Sequence, residues 1–419
     1  MYIKKGVRLL TLIAIIVCGA WSSSEAEEVL TLERALSIAR SSNPRVVEAL
    51  KMVDASKGEL ITARALPDPE VEFELAGFKK NEDGQRDVYL GSFEVRQGFE
   101  PIGTYGLKAR IAKNEVSARG ESKKSVWAAV YAEVRAVYSR IILDKKRLEL
   151  ASGNLDVYRR FYSQVELRYQ SGKALKNEIQ RSKIELLRAE NGYIVAEKEI
   201  KADKASLNLL LGRSMEYAFS VEEELKEETL AVSLSEATST ACALSPDIRV
   251  ETLRLDSEKR NLAKEQLSRL PSPYVGFKNM NESYDKDYEL IIGASMPLWD
   301  LNQGEVQKAR AQKEAQETRL EAMERAVAFN VYQAYLDVEL GQKQLELLKK
   351  SLEEANELLR VADLSYSEGG IDFINFLDQV KTATETRMRY YEGLFALGNA
   401  ISRLEQVMYT SLRKEGYFQ

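Results

Sequence analysis

The chain contains no histidine, which removes the commonest general base and the commonest metal ligand from all 419 residues. Its two cysteines, Cys18 and Cys242, are too few for a zinc cluster or a disulfide framework. With 8 prolines and 23 glycines it is neither linker-dominated nor disordered in composition. A basic excess is missing too: 60 basic against 65 acidic residues give a net charge of −5, with no Lys/Arg patch suited to nucleic acid. No stretch reaches the ~18 consecutive apolar residues of a membrane-crossing helix. That absence leaves barrel strands open, since ~10 alternating residues suffice for one. Nucleophile–base pairs and phosphate loops are absent as well, so neither an enzyme nor a cofactor or metal site is expected.

What is present begins with a targeting segment, residues 1–26. Lys4, Lys5 and Arg8 precede an apolar run from Leu9 to Ala20, and Ser24-Glu25-Ala26 offers a cleavage site. Val17 is bulky where a lipoprotein signal wants a small residue, and lipidation of Cys18 stays open. Cys242, the remaining thiol after such cleavage, reads as a small buried apolar residue.

The organising stretch is a heptad seam: Val130, Val134, Val137, Ile141, Leu148, Ala151, Leu155, Tyr158, Tyr162, Val165 and Tyr169, interrupted at Asp144. Gaps alternating three and four mark a coiled-coil face. An offset of 197 gives a second seam, Val327, Val331, Ala334, Val338, Leu345, Leu348, Leu352, Ala355, Leu359, Ala362 and Tyr366, interrupted at Gly341. Two seams carrying the same break mean a duplicated unit.

Each unit follows one order. Thr31 caps a short helix, Asn43-Pro44 breaks it and starts another, and Pro67-Asp68-Pro69 ends that one. Ser233, Ser245-Pro246 and Pro271-Ser272-Pro273 repeat the scheme. Alternating stretches then predict two hairpins, 69–97 and 273–297, four strands in all. Proline-free helical hairpins over 105–212 and 303–412 follow, whose first arms would extend roughly 95 Å. They turn at Tyr169-Gln170-Ser171-Gly172 and Tyr366-Ser367-Glu368-Gly369. The expected division is a first repeat at 27–212, an acidic equatorial link at 213–231, a second repeat at 232–412 and a tail at 413–419. Two hairpins cannot by themselves satisfy their edges, and one helical hairpin has little against which to bury such seams.

The duplication, the Asn43-Pro44 and Ser245-Pro246 breaks, the hairpins and the paired Tyr-x-x-Gly turns together resemble the TolC family of outer-membrane efflux proteins. The run Pro297-Leu298-Trp299-Asp300-Leu301-Asn302-Gln303-Gly304, followed by Ala309-Arg310-Ala311, is most similar to its cobalt-zinc-cadmium resistance branch. The resemblance implies a mainly α fold with β: a homotrimer whose helices form a periplasmic tunnel, continued by a twelve-stranded barrel in outer-membrane lipid. It also implies a periplasmic adaptor (a membrane fusion protein) and an inner-membrane efflux pump as partners, and divalent heavy-metal ions as one substrate class. The rival reading is a soluble periplasmic coiled-coil scaffold or tether, which leaves the strands without a purpose.

The resemblance also marks residues. Ser171, Gly172 and Lys173, with Glu368, Gly369 and Gly370, fall at the family's adaptor-contacting tips, although here the flanking residues are polar. Glu178 aligns with an acid that bonds the tyrosine matched by Tyr366. Ile371 replaces an arginine that makes a second restraint. Asn375 and Asp378 align with two constricting aspartates, one being an amide here. Glu178 reads equally well as an acid on a solvated helix face, and Asp378 as an acid favoured by a helix start. Glu70, Glu72 and Glu74 share one face of a strand, as a cation-favouring mouth or as ordinary polar lining.

Overall fold

The computed structural model describes residues 28–80, 84, 86–222, 224–228, 232–282 and 285–410. The expected targeting segment at 1–26, Cys18 and the expected tail at 413–419 lie outside the described residues. Glu28–Val29 form a short strand β1, and α1 (Leu32–Ser42) begins where the Thr31 hydroxyl accepts the Arg34 amide at 3.2 Å. Asn43 then does double duty. It closes α1 and caps α2 (Pro44–Arg64), its side-chain oxygen accepting the Arg45 amide at 3.0 Å while Pro44 fills the first helical position.

Strands β2 (Glu70–Lys80) and β3 (Arg86–Gly98) follow, then α3 (Thr104–Gln170) and the returning α4 (Lys176–Leu210). After a link carrying β4 (Phe219–Ser220) the order repeats: α5 (Leu234–Leu244), α6 (Pro246–Leu267), β5 (Ser272–Glu282), β6 (Asp285–Ser295), α7 (Gln303–Ser367) and α8 (Phe373–Met408). With 67 and 65 residues, α3 and α7 each extend about 100 Å. Among the described residues, no helix is long and apolar enough to cross a membrane.

The four long strands form one antiparallel sheet in the order β2-β3-β5-β6, so the two hairpins join through β3 and β5. Strict alternation does not run the full length of β2. The pairing slips between Glu74 and Leu75 and again before Phe78, because bulges admit extra residues there.

Every position of the second seam is buried or half-buried, and so is every position of the first except Tyr169. The first seam is not a simple stripe, however. Between Trp127 and Asp144 the helix is covered on most sides, by α1, by α4, by the link and by α8. Asp144, which the periodicity makes a gap in the apolar face, is itself buried.

The link is more than a spacer. β4 pairs in parallel with β1, and Phe219 and Val221 join a core with Leu30, Leu36, Tyr138, Ile141 and Leu207. Leu225 packs against this core and also against that of the second half, built from α5, α7 and α8. Two residues per strand are too few to register as a periodicity, so sequence reading missed this pair. Cys242 is half-buried at the margin of the second core rather than inside it.

Both inner helical hairpins end in the same left-handed cap. Gly212 has φ 67°, and its counterpart one repeat later, Tyr409, has φ 54°. A Cβ at Gly212 would sit 2.5 Å from the carbonyl oxygen of Ser42, so glycine is required by space as well as by conformation. Gly212→Ala is expected to lower the apparent Tm by several degrees, a cost of about 2 kcal/mol or more. Thermal melting of the solubilised protein measures this. At Tyr409 the ring points elsewhere, and its hydroxyl donates to Asp247 at 2.7 Å, pinning the end of α8 to the start of α6.

Candidate functional site: the hairpin tips, the helix seam and the sheet faces

At the far end of the helices, α3 turns into α4 and α7 into α8 by the same device. Gly172 (φ 74°) and Gly369 (φ 77°) occupy the left-handed position after each helix. The amide of Lys173 bonds the Arg168 carbonyl at 2.7 Å, and the amide of Gly370 bonds the Ser365 carbonyl at 2.7 Å. These paired bonds satisfy helix-end carbonyls that would otherwise be orphaned. Ser171, Lys173 and Glu368 project into solvent beside the glycines. The two turns are therefore geometrically alike but charged oppositely.

Asp372 caps α8, its carboxylate accepting the Asn375 amide at 2.8 Å. That cap leaves Asn375 and Asp378 exposed on the first turns of α8. Glu178, on the first turn of α4, and Asp378 line one cleft of about 510 Å³ between the α3/α4 hairpin and α8, together with Arg168, Arg181 and Lys381. Tyr366 lies elsewhere. Its ring stacks on Phe376 (centroids 4.9 Å, interplanar angle 18°) and meets Phe373 edge-on at 5.4 Å. Phe373 in turn stacks on Phe161 of α3, centroids 3.5 Å apart at 12°. No hydrogen bond joins Glu178 to Tyr366 among the described residues. The structure thus brings Glu178 and Asp378 together and puts Tyr366 in an aromatic cluster that ties α3, α7 and α8. Sequence reasoning missed Phe161 and Phe373. The signal available was an aromatic excess flanking both turns, which without a fold reads only as packing.

Behind the tip, α3 and α8 run antiparallel and meet in a series of rungs. Next after the Phe161–Phe373 stack comes Asn154 with Thr384 (3.3 Å), then Arg147 with Glu392 (3.3 Å). Arg140 lies 5.8 Å from the Phe395 ring, and the series ends in an ion pair between Arg135 and Glu405, both almost fully buried. Glu228 of the link approaches the same guanidinium at 3.8 Å. The first and second halves are therefore clasped along their length, from an aromatic contact at the tip to a buried charge pair at the root.

At the other end, the register fixes what each sheet face carries. Val71, Phe73, Phe93, Val95, Val275, Phe277, Tyr288, Leu290 and Ile292 share one face. Aromatic contacts of 5.7–6.5 Å run along it from Phe73 through Phe93 and Phe277 to Tyr288. This face is bare: Leu290 is 69% and Ile292 77% exposed. The opposite face carries Glu70, Glu72 and Glu74, and the register sets Glu72, Glu94, Lys278 and Glu289 in a single row across all four strands. Glu94 bonds Arg96 at 2.7 Å, so part of the acid is neutralised. Glu94 and Glu289 cannot be assigned to this row from sequence, because a one-residue change of register would move them to the other face. Among the described residues, no group of three or more acidic or cysteine side chains is arranged to hold a metal ion.

Comparison with known proteins agrees with this architecture. The profile of the family described as outer membrane efflux protein matches residues 35–213 and 237–408. The cobalt-zinc-cadmium resistance protein CzcC of Cupriavidus metallidurans is 21% identical over 387 residues, covering 92% of this chain and 91% of its own length. A membrane protein from Pseudomonas aeruginosa superposes with a TM-score of 0.77 at 15% identity, over 91% of this chain and 93% of that one. The Campylobacter jejuni CmeC outer membrane channel gives a TM-score of 0.77 at 13% identity, over 90% of this chain and 85% of that one. With both helical halves and the strands between them matched, the chain belongs to the outer membrane efflux protein family.

Proposed function

We propose that three copies of this chain close into a passive exit duct, with the sheets forming a twelve-stranded barrel in the outer membrane and the helices a tunnel through the periplasm. The observation that carries this reading is the sheet. Among the described residues the outer edges of its end strands β2 and β6 are unpaired, and one face is apolar and exposed, while the other is lined with acids and a few bases. Water is a poor solvent for such a face and lipid a poor one for such edges. Closure of several sheets in a bilayer satisfies both. The acid-bearing face then lines the lumen, where the row of Glu72, Glu94 and Glu289 favours cations.

Energy comes from an inner-membrane pump, coupled through a periplasmic adaptor that meets the tips at Ser171–Lys173 and Glu368–Gly370. Divalent metal ions are the substrate class supported by the likeness to CzcC. Conduction of hydrated ions through a wide tunnel requires no ligands in its wall. In this reading the tip restrains passage through Asn375 and Asp378, both exposed on the first turns of α8, through Glu178, which lines one cleft with Asp378, and through Tyr366, whose ring meets Phe373 and Phe376.

The test is purification in detergent, chemical cross-linking and insertion into planar bilayers. Cross-linked trimers with a small resting conductance support the duct; a detergent-free monomer overturns it and favours the periplasmic tether. Phe161→Ala, which removes the stack joining α3 to α8 at the tip, is expected to raise the resting conductance several-fold. An unchanged conductance in that variant removes the aromatic cluster from the gate.

A further inference from the structure

Asp144 sits on α3 where the heptad seam is interrupted, and is only 2% exposed. One carboxylate oxygen lies 3.3 Å from Arg147, whereas the other is buried without a hydrogen-bond partner. From α4 it is faced by Asp203, Glu199 and Lys198, from α8 by Glu392, and on its own helix by Arg140 and Arg147. Arg147 is shared three ways: 2.8 Å to Glu199, 3.3 Å to Asp144 and 3.3 Å to Glu392. An orphaned buried oxygen is costly, and a carboxyl facing a second carboxyl removes that cost by holding a proton. Burial first, and then Asp203, push the Asp144 pKa up to about 7, against the pull of Arg147. The equivalent position in the second repeat is Gly341, where no titratable group exists and Leu397 of α8 packs close instead.

We propose that Asp144 and Asp203 hold one proton between them, and that this proton locks the root of the α3/α4 hairpin onto α8. With the proton in place, the two carboxyls join α3 to α4, and Arg147 is left to Glu199 and Glu392, tying the hairpin to α8. When the proton leaves to water, Asp144 repels Asp203 and Glu199 and competes for Arg147, so the hold on Glu392 weakens. Between the ordinary carboxylate value near ~4 and about 7, the folded chain keeps a proton that the unfolded chain has lost. The stabilisation is therefore full at acid pH, falls as pH rises through that window and levels off above it.

Hydrogen exchange by mass spectrometry on the full-length solubilised protein, between about pH 5.5 and about pH 8 and corrected for intrinsic rates, reads this directly. Protection of peptides covering 140–150 and 198–208 is expected to fall roughly thirtyfold, because about 1.5 pH units of that range lie below the folded pKa of about 7 and each is worth a factor of about ten. Peptides covering 327–345 are expected to stay unchanged. In Asp144→Asn the amide donates to Asp203 in place of the proton, so acid-level protection is expected throughout. Should that variant not fold, Asp203→Asn serves the same purpose with donor and acceptor exchanged. A wild-type protein whose protection is independent of pH overturns the proposal, and so does an asparagine variant that titrates like the wild type. Exchange reads the hairpin itself, so the outcome is separate from whether the assembly conducts.

Discussion

Leu290→Arg is expected to deplete the assembled protein from the outer membrane, whereas Glu289→Arg, one residue away on the same strand, is expected to leave it there. The residues share β6 but lie on opposite faces of the sheet. Leu290 is 69% exposed, so little packing within the chain is lost when it is replaced. Any large effect must come from what covers that face in the assembled protein. If that face meets lipid, as proposed, an arginine near the bilayer midplane costs about 2–4 kcal/mol per chain, and the proposed trimer would carry it three times over. On the acid-bearing face a guanidinium stays in water and gains acidic neighbours, Glu72 and Glu94 lying in the same row. Outer-membrane fractionation and the recovery of heat-modifiable trimer measure both variants. Equal depletion by the two would show that the faces have been assigned wrongly.

The second large effect is expected at the root of the helix seam. Arg135 and Glu405 are 4% and 0% exposed and form an ion pair between the first and second halves of the chain. Taking away one member of such a pair leaves a desolvated charge behind, so Glu405→Ala is expected to cost about 3–5 kcal/mol. Glu228, 3.8 Å from the same guanidinium, recovers only part of this, because it is a longer contact and half-solvated. The double variant Arg135→Met with Glu405→Leu removes both charges and keeps most of the volume. It is expected to regain most of the loss, as exchanges of buried ion pairs for apolar side chains commonly do. Denaturant melts of the solubilised protein distinguish the two; a single variant as stable as wild type would mean that the pair is solvated in the assembly.

Helix and strand were legible in the chain to different depths. The seam at Val327, Val331, Ala334 and Val338 reads directly as α7, because each residue needs only its own helix to find its face. Alternation at Glu70 to Glu74 likewise identifies a strand and separates Val71 and Phe73 from the acids. The caps at Thr31, Asn43, Ser233 and Ser245 were equally readable, since a side-chain oxygen meets an amide two or three residues on. Local chemistry decided all of these.

At the tip, the glycines at 172 and 369 were marked by sequence, but the partner of Tyr366 was not. Resemblance pointed to Glu178; within the chain the Tyr366 ring meets Phe373 and Phe376 of α8, while Glu178 and Asp378 line one cleft, and contacts between helices so far apart in sequence leave no local mark.

By itself, then, the sequence determined the elements, their duplicated order and the amphipathic faces, since periodicity and capping act over a few residues. Only the tertiary structure decided which faces meet. Its choices include Arg135 against Glu405, Phe161 against Phe373, β1 against β4, Glu72 in line with Glu289, and Asp144 buried where a gap in the seam was expected. Each of these pairs lies far apart along the chain or hangs on strand register. Such contacts are fixed by how whole helices and strands pack, which no local pattern encodes.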